Sequence, residues 1–186
     1  MYSSIRNSGG NPLAVVLDSR GLTTDQMQSV AAEFNLAETT FILPPKDASH
    51  SAEVRIFTPR AEMPFAGHPN IGTAFVVATL ESAFGRVVGE PLIFEEKAGL
   101  VKLDLIREGA SVIGARLAAP QFLMRGEDIE LDVVAKACSI EVSNIETANH
   151  NPSITSCGVP FVFAELKTRS GLSASSAADR DILRTT

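Results

Sequence analysis

Two side chains in this sequence could move a proton: Glu38 and His68. A carboxylate and an imidazole are the groups most often used as general acid or base near neutral pH. Glu38 follows Asn35-Leu36-Ala37 at the entrance to an apolar segment. It reads either as a solvated surface charge or as an acid/base held near the start of a buried helix. His68 lies in Met63-Pro64-Phe65-Ala66-Gly67-His68-Pro69-Asn70-Ile71-Gly72. It reads either as a capping or core histidine or as a group that binds and orients a substrate. The second candidate feature is the helix start itself. Free N–H groups in a first helical turn, together with the helix dipole, attract anions. The amides around Gly67, Asn70, Ile71 and Gly72 are expected to receive a carboxylate or sulfate, the alternative being a helix capped by its own His or Asn.

These groups need elements to hold them. Pro69 suits a first helical turn, where its missing N–H has no role. From Ile71 to Leu80 the run is broken only by Gly72, Thr73 and Thr79. A helix apolar on nearly every side is buried on nearly every side, and the pattern predicts a central helix over 69–84. Before it, Leu13 to Leu17 reads as a buried strand. Thr23 to Asn35 reads as an amphipathic helix, with capping-box spacing between Thr23 and Gln26 and a stripe of Met27, Val30, Ala31 and Phe34. Strands follow at Thr39 to Leu43 and Val54 to Phe57. After the central helix come strands at 91–95, 100–106 and 111–117. Pro120 marks a boundary, so residues 1–118 are expected to form one domain and 119–186 a second, incomplete one. That second part carries a helix over 129–139, strands at 144–148 and 158–166, and a terminal helix over 174–183. It offers no second apolar central helix, so its apolar strands are expected to seek cover elsewhere.

Composition narrows the function. The 186 residues are 45% hydrophobic and carry a formal net charge of −6. There is no Lys/Arg-rich run and no tryptophan, which argues against nucleic acid as a partner. No apolar run reaches membrane-spanning length and no secretory segment opens the chain, so a soluble cytoplasmic protein is expected. Cys138 and Cys157 form neither a disulfide framework nor a metal cluster. Cys138 reads as packing, and His50 and His150 read as solvated loop residues.

Several motifs occur in an order and spacing that resemble the phenazine-biosynthesis PhzF-like family. They are Gly10-Asn11-Pro12-Leu13-Ala14-Val15-Val16-Leu17, Glu33-Phe34-Asn35-Leu36-Ala37-Glu38-Thr39-Thr40-Phe41, and Arg55-Ile56-Phe57-Thr58-Pro59 followed by Pro64-Phe65-Ala66-Gly67-His68-Pro69. Weaker likeness continues through Gly114-Ala115-Arg116 and Gly158-Val159-Pro160-Phe161. The resemblance implies an α/β, diaminopimelate-epimerase-like fold, with a curled, mostly antiparallel sheet around a central helix in each of two similar domains. It places the family's catalytic glutamate on Glu38 and its motif histidine on His68, serving proton transfer in isomerising a dihydro-hydroxyanthranilate. It implies no metal and no organic cofactor. Two departures qualify it. Racemases of the fold carry a cysteine where this chain has Ala66, which argues against two-thiol racemisation. The Asp-Pro-Ala-Thr-Gly-Ser-like motif of the family's second half has no counterpart here, and the usual first strand is replaced by Tyr2 to Arg6, so the chain is expected to be shortened at both ends. The expected function is cofactor-independent isomerisation of a small carboxylate, with a homodimer or other self-association. The alternative is an inactive relic that binds a small anion or assembles with a partner.

Overall fold

The computed structural model describes residues 10–80, 82–119 and 121–176, apart from the side chains of Ala83 and Arg86. By its contacts the chain divides into two compact units, Met1–Pro120 and Gln121–Thr186.

The first unit is a mixed α/β body built on one sheet. Its strands are β1 (Leu13–Val16), β2 (Glu38–Leu43), β3 (Ala52–Phe57), β4 (Glu62–Met63), β7 (Leu92–Glu96), β8 (Gly99–Glu108) and β9 (Ser111–Leu117), with a small hairpin of β5 (Ser82–Ala83) and β6 (Arg86–Val87) set apart. The order across the sheet is β1-β2-β3-β7-β8-β9, with β4 added to β3. Only the β1–β2 and β3–β7 pairs are parallel. The central helix, α2 (Gly67–Ala78), touches β1 and β2 as well as β8 and β9. One helix can meet both ends of the strand order only if the sheet curls around it.

The other helix, α1 (Thr24–Phe34), lies against β2 and β3. Thr23 caps it with a reciprocal capping box, and Asn35 closes it in the left-handed conformation at φ 48°. That conformation is one Asn tolerates better than most residues. Beneath it, Met27 and Ala31 pack on Phe41 and Phe57, whose rings meet edge to face at 5.4 Å. Strand β2 is therefore buried on both faces: Phe41 turns toward α1, while Thr40 turns toward α2 and shares a buried hydroxyl–hydroxyl hydrogen bond of 2.8 Å with Thr73.

α2 is shorter than the sequence pattern predicts. It stops at Ala78 rather than near Phe84. Thr79 Oγ1 donates to the Val76 carbonyl at 2.6 Å, and positive φ at Phe84 and Gly85 turns the chain into the β5–β6 hairpin. Nor is the helix covered all round, since Phe75 is 42% exposed.

The second unit holds β10 (Met124–Asp128), α3 (Leu131–Cys138), β11 (Ile145–Glu146), β12 (Ser153–Ser156), β13 (Pro160–Phe163), β14 (Glu165–Leu166) and α4 (Arg169–Ala174). Its core is small: Val134, Ala135 and Ile145, with Cys138 and Leu166 among the residues packed around them. The apolar run expected as one strand over 158–166 is two strands. β13 pairs with β12 and β14 with β11, and the chain changes sheet at Ala164. The terminal helix expected over 174–183 falls almost wholly outside the described residues. The helix observed nearby, α4, is capped by Thr168, whose Oγ1 accepts from the Gly171 amide at 3.1 Å.

Candidate active site

Alternation along β2 decides where Glu38 points. Thr40 faces α2, and side chains two apart on a strand share a face, so Glu38 faces α2 as well. The Thr40–Thr73 bond pins the helix over this strand, which brings the helix start to the strand start. His68 Nε2 accordingly lies 3.0 Å from Glu38 Oε2, with the two side chains 29% and 18% exposed. The approach is short but too poorly directed to count as a hydrogen bond, and both atoms are inaccessible to solvent. A carboxylate and an imidazole held face to face in this way can exchange a proton with a molecule placed between or beside them.

The segment leading into α2 is anchored from several sides. Thr58 Oγ1 accepts from the amides of Arg60 and Ala61, and the Ala98 amide donates to the Pro64 carbonyl at 3.1 Å. Arg55 grips Glu62 with two N–H groups at 2.8 and 2.7 Å, and Lys97 reaches the same carboxylate at 2.5 Å. Burial opposes the charge on Glu62, but the two cations outweigh it and hold the carboxyl below its ordinary range.

At the helix start Ala66 is the N-cap, and no side chain makes a capping hydrogen bond there. The alternative reading, a helix capped by its own His or Asn, is thereby overturned. A side chain added at Gly67 would meet nothing within 4 Å, so the start of the helix is open on that side. The expected donors need correction. The Asn70 amide donates to the Ala66 carbonyl at 3.4 Å, and Ile71 lies one residue deeper in the helix. Pro69 has no N–H. The amides left for an anion are those of Gly67 and His68. At Gly72 a Cβ would come within 2.6 Å of Leu13 Cδ2, so this glycine lets β1 close onto α2.

Orphaned polar atoms single out the same place. Buried polar groups in folded proteins nearly always have a partner. Among the described residues, the buried side-chain atoms without one are Glu38 Oε2, Thr39 Oγ1, His68 Nε2, Asn70 Oδ1 and both carboxyl oxygens of Glu96. All but Thr39, which turns toward α1, belong to residues of the α2 start or of strand ends beside it. Glu96 was not expected from the sequence. It closes β7, and burial pushes its pKa up to about 8, opposed by its contact with the Asn70 side chain. The signal was present: Leu92 and Phe94 are fully buried, and period-two alternation puts Glu96 on their face.

His50 is also not the solvated residue expected. Its Nδ1 sits 2.8 Å from Glu95 Oε1, with side chains 16% and 11% exposed. Glu95 in addition accepts from the amides of Lys46 and Asp47. Burial opposes its ionisation, yet these donors and His50 hold it below the ordinary range. Among the described residues no cluster of three or more His, Cys, Asp or Glu could hold a metal ion, and no helix is long and apolar enough to cross a membrane.

The family model for phenazine biosynthesis-like proteins matches residues 6–182. The chain belongs to this family. Similar curated members are an uncharacterized isomerase of Mesorhizobium japonicum, 40% identical over 157 residues, and the trans-2,3-dihydro-3-hydroxyanthranilate isomerase of Pseudomonas chlororaphis, 36% identical over 159 residues. The matched parts are 82% and 83% of this chain but 50% and 54% of those relatives, so the chain spans about half the length of the curated family members it matches. Among solved structures, a "Predicted Epimerase" of Pseudomonas aeruginosa superposes with a TM-score of 0.77 at 26% identity, covering 94% of this chain and 60% of that one. The Bacillus anthracis phenazine biosynthesis protein of the PhzF family shares the fold at a TM-score of 0.72 and 23% identity, covering 90% and 54%. The epimerase-like fold expected from the motifs is thereby shown.

Proposed function

We propose that this site isomerises a small carboxylate by proton transfer, with Glu38 as the group that takes and returns the proton. The observation that carries the reading is the approach of Glu38 to His68 at 3.0 Å beside an uncapped helix start. The substrate carboxylate is received by the free amides of Gly67 and His68. Glu38, ionised, removes a proton from one carbon, and the resulting acid delivers it to another, so the isomer keeps every atom. His68 hydrogen-bonds the same substrate and fixes its orientation. The named isomerase of Pseudomonas chlororaphis gives the substrate class to try first, a hydroxylated cyclic amino acid. No cofactor takes part in this scheme. The same reading takes the chain to be cytoplasmic; it also takes it to be self-associating, which the exposed apolar side chains of β13 support.

Glu→Gln tests the assignment, because it preserves shape and removes proton transfer. Placed at the position matching Glu38 in the full-length Pseudomonas chlororaphis enzyme, it should lower turnover by about 10²–10⁴-fold, the usual worth of a general acid–base group, with the fold intact by circular dichroism. In the present chain Glu38→Gln should leave binding of benzoate at the α2 start within a few-fold of wild type. Near-normal turnover in the enzyme would overturn the assignment of Glu38 as the acid/base.

A further inference from the structure

Three of the orphaned atoms at the α2 start belong to one contact. Asn70 is fully buried, and its Nδ2 donates to the Ala66 carbonyl at 3.1 Å. Its Oδ1 has no donor, and both oxygens of Glu96, which lies against it, have no partner. A carboxylate here would add acceptors to a place already short of donors. A carboxylic acid supplies the missing one. Its O–H donates to Asn70 Oδ1, while the second hydrogen of Asn70 Nδ2 donates to the other Glu96 oxygen. One proton thus satisfies three buried atoms in a cyclic acid–amide pair.

We propose that Glu96 is a positioning residue of the candidate site: its carboxylic acid pairs with the Asn70 carboxamide, and this pair holds Asn70 on the Ala66 carbonyl and so fixes the turn that carries the Gly67 and His68 amides. The inference deepens the proposed function in that it concerns the same helix start, but the pairing itself does not depend on what binds there. Loss of the proton would set a carboxylate against Asn70 Oδ1. The carboxamide would then rotate to offer its N–H groups to Glu96, and the Ala66 carbonyl would lose its side-chain donor.

The surroundings fit a neutral acid. Burial pushes Glu96 up to about 8 even against the opposing contact with Asn70. The charged groups nearby are committed elsewhere. Lys46, Asp47, His50 and Glu95 line the same concavity as Glu96. Lys46 pairs with Glu53, His50 with Glu95, and Asp47 accepts from Ser49. At the neighbouring turn Lys97 is drawn to Glu62, and on α2 His68 faces Glu38.

The test is an NMR titration of the full chain without ligand, following glutamate side-chain carboxyl carbons and the His68 backbone amide. Wild type should show one carboxyl titrating near pH 8 and a His68 amide shift with the same midpoint. Glu96→Gln keeps both hydrogen bonds of the pair, so both transitions should vanish while the His68 amide stays at its acid-form position. Glu96→Leu removes the pair, and the His68 amide should sit near the alkaline-form position at every pH. An ordinary midpoint near 4.5 for Glu96 would overturn the proposal. So would an alkaline transition that survives Glu96→Gln, a Glu96→Gln chain that no longer folds, or a His68 amide in Glu96→Leu that matches acid-form wild type. None of these readouts involves turnover, so failure of the isomerase reading would leave the result standing.

Discussion

The two units of the molecule follow the same strand-and-helix grammar and end up with different cover. In the first, β2 is sealed between α1 and α2, and Phe41, Phe57, Leu92, Phe94, Val101 and Leu103 are each no more than 1% exposed. In the second, α3 covers a small cluster, while Met124, Phe161, Val162 and Phe163 are each at least 50% exposed. β13 is also an edge strand of its sheet, and an edge with apolar side chains invites pairing with another chain. An alternating or apolar strand states which residues want cover without stating what supplies it. The unit with the larger buried core is the better able to shield a set of polar atoms, and among the described residues that is where the orphaned atoms gather.

The contrast can be broken most directly through its phenylalanines. Phe41→Ala should cost about 3–5 kcal/mol by urea unfolding, the usual range for emptying a buried aromatic site. Phe161→Ala should change stability by no more than about 0.5 kcal/mol, because an exposed ring loses little on removal. It should instead reduce self-association measured by light scattering. Equal costs at the two positions would erase the distinction between the units.

A pH series sharpens the comparison at one residue. Glu96 has its folded pKa raised to about 8 from an ordinary 4.5. Below about 4.5 folded and unfolded chains both hold the proton, and its contribution is fully present. Between 4.5 and 8 only the folded chain holds it, so stability falls as pH rises, by at most about 1.4 kcal/mol per unit. Above 8 the loss is complete. The difference in unfolding free energy between wild type and Glu96→Gln should therefore slope across that window and be flat outside it. A smaller effect is expected at the strut between β2 and α2. Thr40→Val leaves Thr73 Oγ1 buried without its partner and should cost about 1–3 kcal/mol, whereas Thr40→Val with Thr73→Val should recover most of it. A double variant as unstable as the single one would mean that the hydroxyl pair is not what joins these elements.

Much of this was legible in the sequence, for identifiable reasons. The α1 boundaries follow from Thr23, Gln26 and Asn35, whose roles are local. Glu38 and His68 stood out because each sits where an apolar segment begins, and they do meet. The helix length did not follow, because the apolar run past Ala78 says nothing of the left-handed turn at Phe84 and Gly85. A glycine at a helix start has two uses, approach by a ligand and approach by another strand, and the packing of Leu13 against Gly72 is not visible in the local sequence. His50 acquires its burial from Glu95, forty-five residues away, and no local pattern reports such a partner. Glu96 was hidden by its neighbours: Glu95-Glu96-Lys97 reads as a polar turn, although the period of β7 carries it inward.

Ala66 has a consequence for finding the substrate. A helix whose N-cap lacks a side-chain acceptor forgoes about 1 kcal/mol of local stability relative to one capped by Ser, Thr or Asp. A bound carboxylate would act as the absent capping residue, so ligand affinity and melting temperature become two readings of one event. Since a ligand stabilises the folded chain by RT ln(1 + [L]/Kd), a library of small acids can be ranked by how far each raises the melting point. The chain would then report its own ligand before any reaction is known to assay.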